Sequence, residues 1–166
     1  MVAKNSNPVV IIQDTREPED YTFGQLTKIK RVYREKLDFG DYTTYKLKNL
    51  IVIERKAKTD LFGTLGKGRE RFLRELDRAK EAGVKFFYIV IEASLKSVYQ
   101  GNNIYRGGKK IPTKVSGSNI VSQLVSFIET HPLNIIPIFA DDKLVAQVFI
   151  RDVLVKGEDY LSRGLI

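Results

Sequence analysis

The chain has 166 residues, with 28 Lys and Arg against 20 Asp and Glu, one histidine and no cysteine. That length suits one domain spanning 1–166 with a full hydrophobic core, while the missing cysteine excludes disulfides, thiolate zinc sites and cysteine nucleophiles, and a lone His131 argues against a serine-histidine-acid triad or a multi-histidine metal site. The formal charge of +8 fits a polyanionic partner, either nucleic acid or an anionic membrane surface.

The start, MVAKNSNPVV, lacks the apolar core of a signal peptide, and no apolar run reaches the roughly 20 residues of a membrane span. The protein is therefore expected in the cytoplasm of its producing cell, with no membrane partner. Residues 1–8 are polar and close on Pro8, as a loosely held arm would. Val9 to Ile12 form a compact apolar run ending in QDTREP, which predicts a buried central strand delivering charged groups at its end. Asp14 and Thr15 equally suit turn or capping positions before Pro18. Gly24 to Leu26 read as the end of a short helix, and Lys28 to Lys36 as an edge strand with basic residues on its open side.

Residues 39–60, FGDYTTYKLKNLIVIERKAKTD, concentrate the chemistry. Tyr42 to Leu47 and Ile51 to Lys56 predict a hairpin turning at Lys48-Asn49. Alternation puts Val52, Glu54 and Lys56 on one face and Ile51, Ile53 and Arg55 on the other. The turn would set Asp41 opposite Lys56 and Thr43 opposite Glu54, so that Asp41, Glu54 and Lys56 converge. A carboxylate pair beside an ammonium suits a divalent cation and a phosphodiester. Hard oxygen ligands hold Mg²⁺ or Mn²⁺ with positions left for water and phosphate, and the lysine orients water or offsets developing charge. The same residues also fit an exposed hairpin carrying a surface Glu54–Lys56 ion pair.

Thr59 or Asp60 is the expected cap of a weak helix over Leu61 to Leu65. GKGRERFLRELDRAKEAG then predicts an amphipathic helix with Phe72, Leu73, Leu76, Ala79 and Ala82 inward and Gly83 as the stop. Arg71, Arg74, Arg78, Lys80, Glu70 and Glu75 are expected on its solvated face. Arg69, following two glycines at the helix start, lies where a phosphate can approach backbone N–H groups. Val84 to Glu92 is the strongest strand, apolar enough to be covered on both faces. Residues 99–113 form a basic loop whose Tyr99, Tyr105, Arg106, Lys109 and Lys110 suit DNA contact or simple solvation.

Ser118 or Asn119 is the expected cap of a helix with Ile120, Val121, Leu124, Val125 and Ile128 inward, ending at His131 as a dipole-favoured terminus and not a ligand. Leu133 to Ala140 predict an edge strand because of Pro137. Asp141 or Asp142 starts a last helix, Lys143 to Val155, with Leu144, Val145, Val148, Phe149 and Val153 as its apolar positions, and 157–166 form a tail able to dock on the body or a second subunit. The order defines a mixed α/β sheet flanked by helices on both sides, with charged groups at strand ends.

Three segments, IIQDTRE at 11–17, LDFGDY at 37–42 and IERKAKTD at 53–60, together resemble the signature of the XPF/Hef/Mus structure-specific endonuclease domain, a branch of the PD-(D/E)XK restriction-endonuclease-like superfamily. That signature is a hydrophobic strand ending in V-D-x-R-E, then G-D, then E-R-K-x-x-x-D, and the likeness extends more loosely through GRERFLREL and FFYIVIE to the terminal helix. The resemblance implies that Asp41 and Glu54 bind metal and Lys56 is the catalytic lysine. It adds Asp14 and Glu17 as acidic residues binding metal directly or through water, and Arg16, Arg55, Asp60 and Arg69 as supporting or phosphate-contacting residues. It implies Mg²⁺- or Mn²⁺-dependent hydrolysis of DNA at branched, flap, fork or junction structures, leaving a 5′-phosphate and a 3′-hydroxyl. A non-catalytic DNA-binding subunit and a less structure-selective viral nuclease are the alternatives. Family members usually dimerise through this domain, as a homodimer or heterodimer, and carry a tandem helix-hairpin-helix module and often a helicase, neither of which is expected in 1–166.

Overall fold

The computed structural model describes residues 7–18, 21–23, 26–112 and 114–166, with backbone alone at 104–106 and 110–112. Residues 1–6 of the expected arm, and Gly24 and Gln25 of the expected short helix, lie outside the described residues. The elements in order are β1 (Val9–Asp14), β2 (Ile29–Glu35), β3 (Tyr42–Thr44), β4 (Ile51–Ala57), α1 (Lys58–Leu65), α2 (Arg69–Glu81), β5 (Phe86–Glu92), α3 (Leu95–Tyr99), β6 (Asn103–Arg106), β7 (Lys109–Pro112), α4 (Gly117–Thr130), β8 (Asn134–Phe139) and α5 (Lys143–Ser162).

Six strands form one sheet in the order β2-β1-β3-β4-β5-β8, and β6 pairs only with β7. β3 runs antiparallel to β1 and β4, whereas β1–β2, β4–β5 and β5–β8 are parallel. This is the mixed α/β sheet that the sequence predicts, with β2 and the Pro137-bearing β8 at its edges. Apolar residues on both faces of β5 explain its interior position, between β4 and β8. Phe87, Ile89 and Ile91 pack under α1, α2, α3 and α4 with Phe62, Phe72, Leu76, Val98, Ile120 and Phe127. Val90 faces the other layer, where Ile11, Tyr42 and Ile53 meet Ile150 and Leu154 of α5. Each fully buried side chain of this kind contributes roughly 2 kcal/mol by leaving water. No described helix is long and apolar enough to cross a membrane.

Several local expectations change. The hairpin turn is wider than two residues: β3 ends at Thr44, and the chain turns through 45–50 because Leu47 is drawn fully into the core. Tyr42 pairs with Ile53, two residues out of the expected register. A shift of two preserves the face of every side chain, since the strand period is two. Helix α1 starts at Lys58, with Ala57 at its cap and no side-chain cap bond, so neither Thr59 nor Asp60 caps it.

The basic 99–113 segment is not a patternless loop. After the short α3, β6 and β7 make a hairpin joined by Gly107-Gly108, whose φ values of 56° and 74° match the left-handed turn that tight hairpins prefer. Ser116, not Ser118 or Asn119, caps α4 by accepting the Asn119 N–H at 3.2 Å. The inward stripe of α4 is Ile120, Leu124 and Phe127, leaving Val125 and Ile128 44% and 49% exposed. Asp142 caps α5, which runs on to Ser162, so most of the expected tail is helix. Its buried residues are Ala146, Ile150, Leu154, Val155 and Gly157, while Leu144 and Val145 are 66% and 47% exposed. Small residues decide that face: a side chain at Gly157 would crowd Leu47 and Ile51.

Candidate active site

The candidate site is built where β3 begins and β4 ends. Gly40, at φ 60°, brings the chain so close to β4 that a β-carbon there would collide with Val52 and lie 2.9 Å from the Ile53 carbonyl oxygen. The left-handed turn thus requires glycine for two independent reasons. It delivers Asp41, whose N–H donates to the Ile53 carbonyl at 2.8 Å and whose Oδ2 accepts the Arg55 N–H at 2.8 Å. One step along the Tyr42–Ile53 register, Asp41 stands beside Glu54 instead of Lys56. The expected convergence of Asp41, Glu54 and Lys56 is nevertheless present, because Lys56 folds back to donate to Glu54 Oε1 in a short ion pair.

The electrostatics of this cluster are anionic. Burial, followed by the charges of Glu54 and Glu17, holds the Asp41 carboxyl well above its ordinary value, and the Arg55 N–H and Lys56 offset this only in part. Burial also raises Glu54, with Lys56 acting downward and Glu75 upward. For Lys56 burial acts downward, but Glu54 and the neighbouring acids prevail and raise it, so it stays an ammonium.

On the opposite face of β4, Arg55 is the hub of a largely buried network. Its Nε and Nη2 each donate to Glu92 at 2.9 Å, and Nη1 reaches Glu17 Oε2 at 3.4 Å. The Tyr42 hydroxyl donates to Glu17 at 3.2 Å, the Tyr21 hydroxyl donates to Glu92, and the Tyr21 ring lies 5.0 Å from the Arg55 guanidinium carbon. Bidentate pairing of this sort is directional as well as strong. It ties β4 to β5 and fixes the Glu17 segment next to Asp41. Burial raises the Glu17 carboxyl above its usual range despite Arg55.

Asp14 is placed differently. Its fully buried carboxylate accepts from Arg16 N–H at 2.8 Å, Arg16 Nε at 2.7 Å, Arg16 Nη2 at 3.1 Å and Leu37 N–H at 2.7 Å. Four donors occupy both oxygens, and Arg16 Nη2 adds a 3.1 Å bond to the Leu37 carbonyl. Asp14 therefore clamps the approach to Gly40-Asp41 and does not present a free oxygen to the cluster. Burial pushes its carboxyl up, but Arg16 and the Leu37 and Arg16 N–H groups outweigh that and hold it below the ordinary value.

A cleft of about 290 Å³ opens on the α2 side of the cluster, lined among others by Arg16, Glu54, Lys56, Arg71, Glu75 and Arg78. Arg71, Glu75 and Arg78, expected on the solvated face of α2, line this cleft. Their spacing of four and three residues along α2, beside the buried Phe72, Leu76 and Ala79, is the signal that would have found them, since it defines the border of the apolar stripe. Asp60, exposed in the first turn of α1, does not line the cleft. Neither does Arg69, whose guanidinium lies 5.5 Å from the Phe127 ring and pairs with Glu70 at 3.4 Å. Lys109 is exposed on the β6–β7 hairpin, while the side chains of Arg106 and Lys110 lie outside the described residues. A larger hollow of about 450 Å³, bounded by Ile51, Phe86, Tyr88, Phe149 and Val153, sits at the other end of β4 and is mainly apolar. His131 caps α4 and meets Asp77 at 3.2 Å, away from the site.

A mixed sheet with helices on both faces, and an acid pair with a lysine where β4 ends, defines a restriction-endonuclease-like domain. The ERCC4 domain model matches residues 6–146, and the chain belongs to that family, the XPF nuclease family. Among solved structures, XPF from Aeropyrum pernix superposes with a TM-score of 0.63 at 18% identity, over 93% of this chain and 67% of that one. XPF from Aeropyrum pernix in complex with DNA gives 0.59 at 15% identity, over 92% and 66%. The chain thus spans about two thirds of each of those proteins. Comparison with curated proteins finds no significant match.

The Asp14 clamp has a measurable signature. A carboxyl held low in the folded state stabilises above its unfolded value, about 3.9, and that contribution is lost as pH falls through the folded value. Asp14→Asn should lower the unfolding free energy at pH 7 by about 2 kcal/mol, the scale of charge-assisted hydrogen bonds. In urea titrations the gap from wild type should close as pH drops below about 4. An equal gap at pH 7 and pH 3 would show that the carboxylate charge is not what holds the Leu37 segment.

Proposed function

We propose that this chain is a DNA endonuclease dependent on Mg²⁺ or Mn²⁺, hydrolysing phosphodiesters to a 5′-phosphate and a 3′-hydroxyl. The observation that carries this reading is the placing of Asp41 against the buried Glu54 where β4 ends, with Glu17 and Glu75 adding negative charge that Lys56 offsets. Like carboxylates sharing one site repel, and a divalent cation between them removes the repulsion. No described residue donates to Asp41 Oδ1, which leaves that oxygen available as a ligand.

Among the described residues no group of three or more acidic or histidine side chains has metal-holding geometry. Two carboxylates still suit Mg²⁺, which keeps several waters and takes further oxygens from substrate phosphate. When bound, such a cation supplies Lewis-acid stabilisation of charge on the phosphoryl oxygens. Lys56 is the group of this chain that orients an attacking water or offsets the charge developing on phosphate. Arg16, Arg71 and Arg78 line the cleft as positive groups for the strand backbone, in keeping with the chain's charge of +8. Glu17 acts from the Arg55 side, where it adds negative charge near Asp41.

The proposed substrate is branched or junction-containing DNA. Membership of the XPF nuclease family and the DNA-bound XPF fold relative support the choice. Wild type should cut flap, fork or junction substrates with Mg²⁺ or Mn²⁺. Glu54→Gln and Lys56→Ala should each reduce cutting at least a hundredfold, the usual scale for groups acting on the reacting atoms, while DNA affinity stays within about threefold. Full activity in both variants contradicts the assigned site, and binding without cutting in any metal identifies a non-catalytic subunit.

The partner proposed beside DNA is a second domain of this type. Exposed Val125 and Ile128 on α4, and Leu144 and Val145 on α5, are the apolar residues that support it, together with the open edge of β8. Light scattering should report a dimer that Leu144→Asp with Val145→Asp converts to a monomer of unchanged melting temperature. A monomeric wild type rules out self-association.

A further inference from the structure

Glu75 is not among the motif residues, yet it is placed to act on them. It lies three residues beyond Phe72 on α2, so the two are neighbours on one helix face. The Lys56 ammonium sits 5.9 Å from the Phe72 ring, and Lys56, Phe72 and Glu75 all line the same cleft. Glu75 Oε1 accepts the Gly40 N–H at 3.3 Å, next to Asp41, and no described residue donates to its other oxygen.

The ion pair between Lys56 and Glu54 poses a problem for the proposed site. In this structure Lys56 occupies an oxygen of Glu54 that a cation would need. Releasing that oxygen strands a largely buried ammonium, which is strongly unfavourable without a second anion. Besides Glu54 the cleft is lined by two acids, Asp38 and Glu75, and of these the half-buried Glu75 is the one whose charge acts on Lys56.

We propose that Glu75 is a positioning residue that receives Lys56 when Glu54 turns to a divalent cation. Lys56 exchanges partners between the two carboxylates, and the Gly40 N–H holds Glu75 in place for the exchange. The lysine thereby leaves the cation's ligand and stays in the cleft that Arg71 and Arg78 also line, where substrate phosphate would lie. This inference rests on the reading of Asp41 and Glu54 as the cation site.

Calorimetric titration of Mn²⁺ into the folded protein, without DNA, tests it through a double-mutant cycle. Glu75→Gln keeps an acceptor for the Gly40 N–H, so a purely structural role would leave binding unmoved. Glu75→Gln should weaken Mn²⁺ binding about tenfold, equivalent to roughly 1.4 kcal/mol. Lys56→Met should abolish that dependence, so that the double variant binds Mn²⁺ as tightly as Lys56→Met alone. Wild-type affinity in Glu75→Gln overturns the exchange while leaving the cation site intact. The same tenfold loss in the Lys56→Met background also overturns it, since Glu75 would then act only as a distant charge. A wild type that takes up no Mn²⁺ overturns the cation site itself and the exchange with it.

Discussion

The constraint on which the rest of the site depends is the burial of two carboxylates against each other. Asp41, just ahead of β3, is half-buried against the buried Glu54 of β4, and the Glu54 charge adds to burial in raising the Asp41 carboxyl. Such a pair works against folding unless something offsets it. The chain offsets it in part with the Lys56 ammonium and the Arg55 N–H. What remains is negative potential in a cleft whose other walls carry Arg16, Arg71 and Arg78. A site that is anionic at its floor and cationic at its rim suits a metal ion below and a phosphate strand above.

Around that pair the scaffold is held by a close backbone approach and by part-buried ion pairs. Gly40 lets β3 approach β4 closely enough to bring Asp41 to Glu54. Asp14 gathers Arg16 and the Leu37 N–H, fixing the segment that leads into Gly40. Arg55, gripping Glu92 with two nitrogens and touching Glu17, locks the opposite face of β4 to β5. The alternation of β4 thus separates the roles: Glu54 and Lys56 face the cleft, and Arg55 faces the network that keeps the strand in register.

The fold was largely legible because its strands are strongly patterned. VVII and FFYIVIE could only be buried, and the residues of IERK alternate in a way that survives a register error of two. The error itself came from Leu47, whose burial widens a turn that Lys48-Asn49 alone would make tight. The faces of α4 and α5 were not legible, because aliphatic residues surround both helices and the choice is made by small residues such as Ala146 and Gly157. The β6–β7 hairpin was hidden in basic residues, with Gly107-Gly108 as its main sign. In the site, Asp41, Glu54 and Lys56 were readable from spacing. Glu75, Glu92 and Tyr21 were not, since contacts 35 to 71 residues apart in sequence bring them to β4 and its approaches.

The most direct test of the account is the thermal stability of Asp41→Asn with and without Mn²⁺. Asparagine retains an acceptor for the Arg55 N–H but removes one of the two opposed charges. With that repulsion removed, Asp41→Asn should melt several degrees above wild type in EDTA, at roughly 2–4 °C per kcal/mol for a chain of this size. Added Mn²⁺ should raise the melting temperature of wild type and leave Asp41→Asn nearly unchanged. An Asp41→Asn protein that melts lower than wild type in EDTA, or gains as much from Mn²⁺, would contradict the claim that Asp41 and Glu54 form a repulsive pair built to hold a cation.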